Sequence, residues 1–174
     1  MKKKTLLFYL VLFAGVQVFG QGDSWKKITS VPGCTARTYS VAFSINGKGY
    51  YGTGIDSVTN KENSDIWMYD SGQDSWTQVA SLPVKSGASV YNVGRSAASA
   101  FTVNDMGYVV GGYSSDLNIF LKDVWEFDAA TNTWTSKADF PGFARAYAIA
   151  VGSDMWGAGF YGTGFSFKQG AGWT

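Results

Sequence analysis

An all-β fold built from repeated four-stranded units is the architecture this sequence predicts, and three observations predict it. First, segments recur. Asp65-Ile66-Trp67-Met68-Tyr69-Asp70 returns as Asp123-Val124-Trp125-Glu126-Phe127-Asp128, and Gly49-Tyr50-Tyr51-Gly52-Thr53-Gly54 returns as Gly107-Tyr108-Val109-Val110-Gly111-Gly112 and again near Phe160-Tyr161-Gly162-Thr163-Gly164. Second, anchors keep a period: Trp25, Trp76 and Trp134 lie 51 and 58 residues apart, Pro32, Pro83 and Pro141 share those spacings, and Arg37, Arg95 and Arg145 are 58 and 50 apart. Self-similarity at such a period marks a repeat architecture. Third, the chain is 17% aromatic with 22 Gly and only 3 Pro, which suits many short strands joined by tight turns.

The first 20 residues stand apart. Lys2, Lys3 and Lys4 precede an apolar run, Leu6 to Phe19, that ends at Val18-Phe19-Gly20. This reads as a signal peptide over 1–20, and the run is shorter than the ~20 residues a spanning helix needs. The expected location is therefore secreted or periplasmic, with no membrane attachment after cleavage. Of 14 basic and 13 acidic residues, three basic ones lie in the leader, leaving 11 against 13 and a net charge of −2. A weakly acidic chain has no electrostatic case for nucleic acid. The single Cys34 allows no internal disulfide and reads as a small core or loop residue.

Residues 21–174 then form one domain. Residues 24–31 read as a strand of the fourth type, placed before the first full unit. Full units run over about 37–82 and 95–140, and a partial one, with two strands, over 145–164. In the second unit Ser96 to Val103 is a strand of small residues, Asn104-Asp105 a turn, and Met106 to Val110 an apolar strand ending at a glycine doublet. Asp123 to Asp128 is an aromatic strand, Ala129 to Asn132 a turn, and Thr133 to Ala138 the last strand. Asn, Asp and Gly supply the positive φ that such turns need. Trp67, Tyr69, Trp125 and Phe127 alternate with their neighbours, which places them on one sheet face, expected to pack against the next unit. The longer second spacing comes from an insertion between Pro83 and Arg95, near Lys85 to Gly94.

Glycine doublet, Trp125, Phe127, Asp128 and Thr131-Asn132-Thr133-Trp134 resemble the kelch repeat, as do Gly52-Thr53-Gly54, Trp67, Tyr69, Asp70 and Asp74-Ser75-Trp76 in the first unit. The G-T-G variant departs from the usual doublet. The resemblance implies a kelch-type β-propeller, one four-stranded blade per repeat. Here it is incomplete: two full blades plus partial blades at both ends, with 24–31 as an N-terminal closing strand. Either the chain is a fragment of a longer propeller, or several chains complete a ring by self-association through open blade ends.

No His occurs in the chain. That removes Ser-His-Asp and Cys-His nucleophile systems. It also removes the copper site that resemblance to galactose oxidase would imply, since that family needs two His. No metal or other cofactor is expected. The turn Ser71-Gly72-Gln73-Asp74-Ser75-Trp76 does not match the sialidase motif. Asp56, Glu62, Asp65, Asp116 and Asp123 read as solvated loop charges. Arg37, Arg95 and Arg145 recur before each innermost strand, and equivalent arginines in kelch propellers often bind acidic groups near the channel mouth. Guanidinium suits a carboxylate, so these three, with Tyr91 and Asn92 of the insertion, are the candidate ligand-binding residues. The alternative is that each Arg pairs within its own repeat. The function expected is a secreted binding module for a protein or carbohydrate. The alternative, implied by resemblance to secreted kelch enzymes, is an N-acetylneuraminate epimerase.

Overall fold

A computed structural model of the chain describes residues 24–33 and 36–141, and the backbone strands within 147–173. The expected leader, Cys34 and Arg145 lie outside the described residues. In chain order the strands are β1 (Arg37–Thr38), β2 (Val41–Ile45), β3 (Lys48–Gly52), β4 (Ile55–Asp56), β5 (Ile66–Asp70) and β6 (Ser75–Val79). A hairpin follows, β7 (Val84–Ser86) and β8 (Ser89–Tyr91). Next come β9 (Ser99–Val103), β10 (Met106–Ser114), β11 (Ile119–Asp128) and β12 (Thr133–Lys137). The last four are β13 (Tyr147–Val151), β14 (Asp154–Ala158), β15 (Gly164–Lys168) and β16 (Gly172–Trp173). They form three antiparallel four-stranded sheets, β2-β3-β5-β6, β9-β10-β11-β12 and β13-β14-β15-β16. Their first strands β2, β9 and β13 neighbour one another, which is the arrangement of consecutive propeller blades. Among the described residues no helix is long and apolar enough to cross a membrane.

Local chemistry explains the strands. Val41-Ala42-Phe43-Ser44-Ile45 alternates strictly, and Val41, Phe43 and Ile45 are buried. The first-to-second-strand turns use Asn46-Gly47 and Asn104-Asp105, with positive φ at both central residues (48° and 75°; 48° and 59°), the type I′ geometry that matches strand twist. Asp74 and Asn132 likewise take φ of 45° and 54° at the end of the third-to-fourth-strand turns.

Three expectations change. The glycine doublet bends the blade edge without ending the strand. Gly111 and Gly112 have φ of 64° and 99°, the register shifts there, and pairing resumes through Gly112↔Leu121 to Ser114↔Ile119, as a bulge does. The third blade has four strands, not two. Phe167 pairs with Trp173 in the register that joins Tyr69 to Trp76 and Phe127 to Trp134. Residues 24–31 form no ladder, although they dock where a fourth strand would end. Thr29 N donates to Asp74 Oδ1 (3.0 Å) and Trp76 Nε1 donates to Thr29 O (2.8 Å). Between the full blades Ala80 N donates to Asn132 Oδ1 (2.9 Å) and Trp134 Nε1 donates to Ala80 O (2.9 Å). Thr29 follows Trp25 by the same four residues as Ala80 follows Trp76.

The core lies between blades. Phe43 stacks on Tyr50 at 5.1 Å, Tyr50 meets Phe127 edge-on at 5.5 Å, and Trp134 leans on Phe127 at 4.8 Å and meets Phe43 at 6.5 Å. Ile66, Leu82, Val109 and Trp125 complete this cluster. Trp125 and Phe127 do share a face, but they pack on the preceding blade, not the next. The opposite face of the second blade buries Phe101, Tyr108, Val110, Val124 and Phe140. Aromatic pairs of this kind add ~0.5–1.5 kcal/mol each beyond their buried area.

Candidate functional site

The second-to-third-strand loops and the connections between blades emerge on one face of the blades. There residues 53–65 of the first blade meet the start of the second. Gly54 N donates to Arg95 O, Arg95 N to Asn63 O, and Ser96 and Tyr113 exchange main-chain hydrogen bonds. Glu62 staples the seam, accepting from Ser96 Oγ (3.2 Å), from Ser115 N (3.1 Å) and from Ser115 Oγ. Gly94 leaves the room this needs: a Cβ there would collide with the Glu62 carbonyl.

The two recurring arginines among the described residues, Arg37 and Arg95, are committed inside their own blades. Arg37 gives Nη1 and Nη2 to Asp65 at 2.6 and 3.0 Å, and Nη1 also to Thr53 O at 3.1 Å. Arg95 repeats this with Asp123 at 2.8 and 2.8 Å, donates to Gly111 O at 2.9 Å, and reaches Pro83 O. The indoles finish each set: Trp67 Nε1 donates to Asp65 and Trp125 Nε1 to Asp123, both at 2.7 Å. Arg95 and Asp123 side chains are 0% exposed, and that of Arg37 only 3%. The structure thus brings each Arg to an Asp and a Trp. This geometry gives Arg37 and Arg95 the pairing role, in place of the carboxylate-binding role on an open mouth that the sequence suggested. Asp123 is accordingly a buried partner and Asp65 a half-buried one, and neither is a solvated loop charge. Burial works against the Asp65 carboxylate, yet hydrogen bonds from Arg37 and Trp67 and the Arg37 charge outweigh it and hold its pKa below the ordinary value. The missed signal was a second spacing: Arg and Asp are 28 residues apart in both repeats.

The exposed apolar side chains of this face come mainly from the insertion. It folds as the hairpin β7–β8, which is absent from the short connection before Arg37. Val84 is buried and Lys85 is tied to Asp139 (2.6 Å) and to the Lys137 carbonyl (3.2 Å). All three residues of β8 are exposed, Val90 at 58% and Tyr91 at 37%, and so is Asn92. Beside it, β11 exposes Phe120 at 42%, in ring contact with Tyr113 at 4.9 Å. A shallow pocket of about 190 Å³ lies between the two hairpins, lined by Lys85, Ser86, Phe120 and Lys122. Sequence reasoning found Tyr91 and Asn92 and missed Val90 and Phe120, whose apolar side chains read as core in sequence but stand in solvent. Among the described residues no three His, Cys, Asp or Glu side chains come together to hold a metal.

A kelch motif model matches residues 94–141, the second blade with its buried Arg95. Those residues carry a kelch motif. The kelch signature residues therefore have assigned work here: the doublet bulges the second strand, the Asp takes the Arg, and the two aromatics join blades. An F-box/kelch-repeat protein of Arabidopsis thaliana is 29% identical over 150 residues, 76% of this chain and 40% of that protein. Kelch-like protein 35 of Homo sapiens is 26% identical over 130 residues, 75% of this chain and 19% of that protein. Among solved structures, that of YjhT superposes with a TM-score of 0.70 at 18% identity, covering 87% of this chain and 54% of the other. The chain thus spans less than half the length of the curated relatives it matches.

Proposed function

We propose that this chain is an interaction module that binds a protein partner on the face carrying residues 53–65, 83–98 and 111–122. One observation carries this: the only connection with an inserted hairpin among the described blades is the one that sets Val90 and Tyr91 in solvent on that face, beside the exposed Phe120 of β11. An insertion in one repeat breaks the symmetry, as a specific surface must, and loops on a rigid scaffold are where binding concentrates. The leader-like residues 1–20 support delivery outside the cytoplasm, and coverage of 54% of YjhT supports reading the chain as part of a longer ring.

Photocrosslinking tests the face. A benzophenone amino acid replacing Tyr91 or Phe120 should label a discrete protein in the secreted fraction of the source cells. The same group at Gln73 or Asp105, exposed in turns of the opposite face, should not. Equal labelling from both faces, or none from either, would reject the assignment.

A further inference from the structure

Among the described residues strand β8 has an open edge, and its geometry says which main-chain groups that edge presents. The hairpin turns through Gly87-Ala88 with Gly87 at φ 60°, so Ser86 and Ser89 flank a two-residue loop and form a hydrogen-bonded pair. Pairing alternates from there. Val84 and Tyr91 are again hydrogen-bonded to each other, while Lys85 and Val90 turn their N–H and C=O groups outward to opposite sides. One side is accounted for: Lys85 N donates to Asp123 Oδ2 at 2.8 Å, which anchors β7 on the buried Arg95–Asp123 pair. On the other side the Val90 main chain makes no hydrogen bond among the described residues, and Asn92 follows at the same parity.

Natural edge strands are guarded by charge, proline, bulges or a cover. Ser86 to Gly94 contains no charged residue and no Pro, and Ser89-Val90-Tyr91-Asn92-Val93 favours strand. We infer that β8 takes an extended segment of the partner protein as a third strand, paired through Val90 and Asn92, with a β-branched or aromatic side chain covering Val90. Main-chain pairing would supply affinity and the alternate side chains specificity. This rests on the proposed protein-binding face and adds the mode of recognition.

The probe is a random dodecapeptide library displayed on phage and selected on the whole chain. Selected peptides should alternate β-branched or aromatic residues. N-methylation of the peptide amide that faces Val90 should weaken binding about tenfold or more, the order expected for a lost hydrogen bond with its desolvation cost. Val90→Pro removes the outward N–H and leaves the Val84–Tyr91 and Ser86–Ser89 bonds, so it should abolish binding, whereas Val90→Thr should keep it. The N-methyl series holds even where the Pro variant misfolds. Binding that survives both changes, or a library with no enriched peptide, would overturn strand addition. A concentration-dependent dimer lost in Val90→Pro, without peptide binding, would overturn it in favour of a second copy. Crosslinking from Tyr91 that persists in Val90→Pro would separate this failure from failure of the binding face itself.

Discussion

Arg95 lies buried beside Asp123 with its two terminal nitrogens filled by a carboxylate and two carbonyls. Such a pair repays its desolvation only when complete. Arg95→Met strands the carboxylate and is expected to cost about 3–5 kcal/mol. Adding Asp123→Leu should recover most of that loss, because no buried charge then remains. Urea denaturation of the two variants checks this, and a double variant no better than the single would show that the other hydrogen bonds of the set, from Arg95 to Gly111 and Pro83 and from Trp125 and Lys85 to Asp123, dominate. Arg95→Lys should resemble the single variant, since an ammonium cannot span both carboxylate oxygens and two carbonyls from one planar fork.

At the scale of the strand, the blade seam depends on one missing side chain. Gly107 of β10 lies under the Phe43 ring, and a Cβ there would run into Phe43 Cε2. Phe43 cannot retreat easily, being stacked on Tyr50 and edged by Trp134. Gly107→Ala should therefore destabilise by about 1–3 kcal/mol, the range of overpacked cores. The loss should show as a lowered thermal midpoint, and Gly107→Ala with Phe43→Leu should regain part of it. By contrast Gly49, the same position one blade earlier, would place its Cβ 3.8 Å from Tyr69. Ala there should be nearly neutral.

Across the whole molecule, acid should act collectively. Asp56, Asp65, Asp70, Asp74 and Asp128 all have pKa values lowered from the ordinary 3.8. Asp70 is held down first by Lys48, Asp74 by Tyr69, and Asp56 and Asp128 by main-chain N–H groups of their turns. A carboxylate with a depressed folded pKa adds stability that is fully present above its unfolded value and lost as pH falls through its folded one. Stability should be flat from neutral pH to about 5 and fall below about 4. Asp65→Asn should lower the plateau and make the acid slope shallower, as pH-dependent urea midpoints would show. At this scale too, most of the fold was legible, because Trp67-Met68-Tyr69-Asp70 and Trp125-Glu126-Phe127-Asp128 share the Trp, the Asp and an aromatic ring between them at the same positions. The third blade was not. Phe165-Ser166-Phe167-Lys168 keeps the alternation of the aromatic strand without its Trp or its Asp residues, and pairing, not identity, reveals it. The site was legible only in part, since a recurring Arg looks the same in sequence whether its carboxylate is a ligand's or its own.

The tie between blades has a consequence for how such repeats change over time. Trp76 and Asp74 grip the amide and carbonyl of Thr29; Trp134 and Asn132 grip those of Ala80. The side chain held is different in each case, and mostly irrelevant, because every residue but proline carries the same two groups. The joint is thus blind to what passes through it. At this outer tie, composition can drift where the chain passes through, because the main chain is what is held; specificity between blades rests instead on the aromatic core they share.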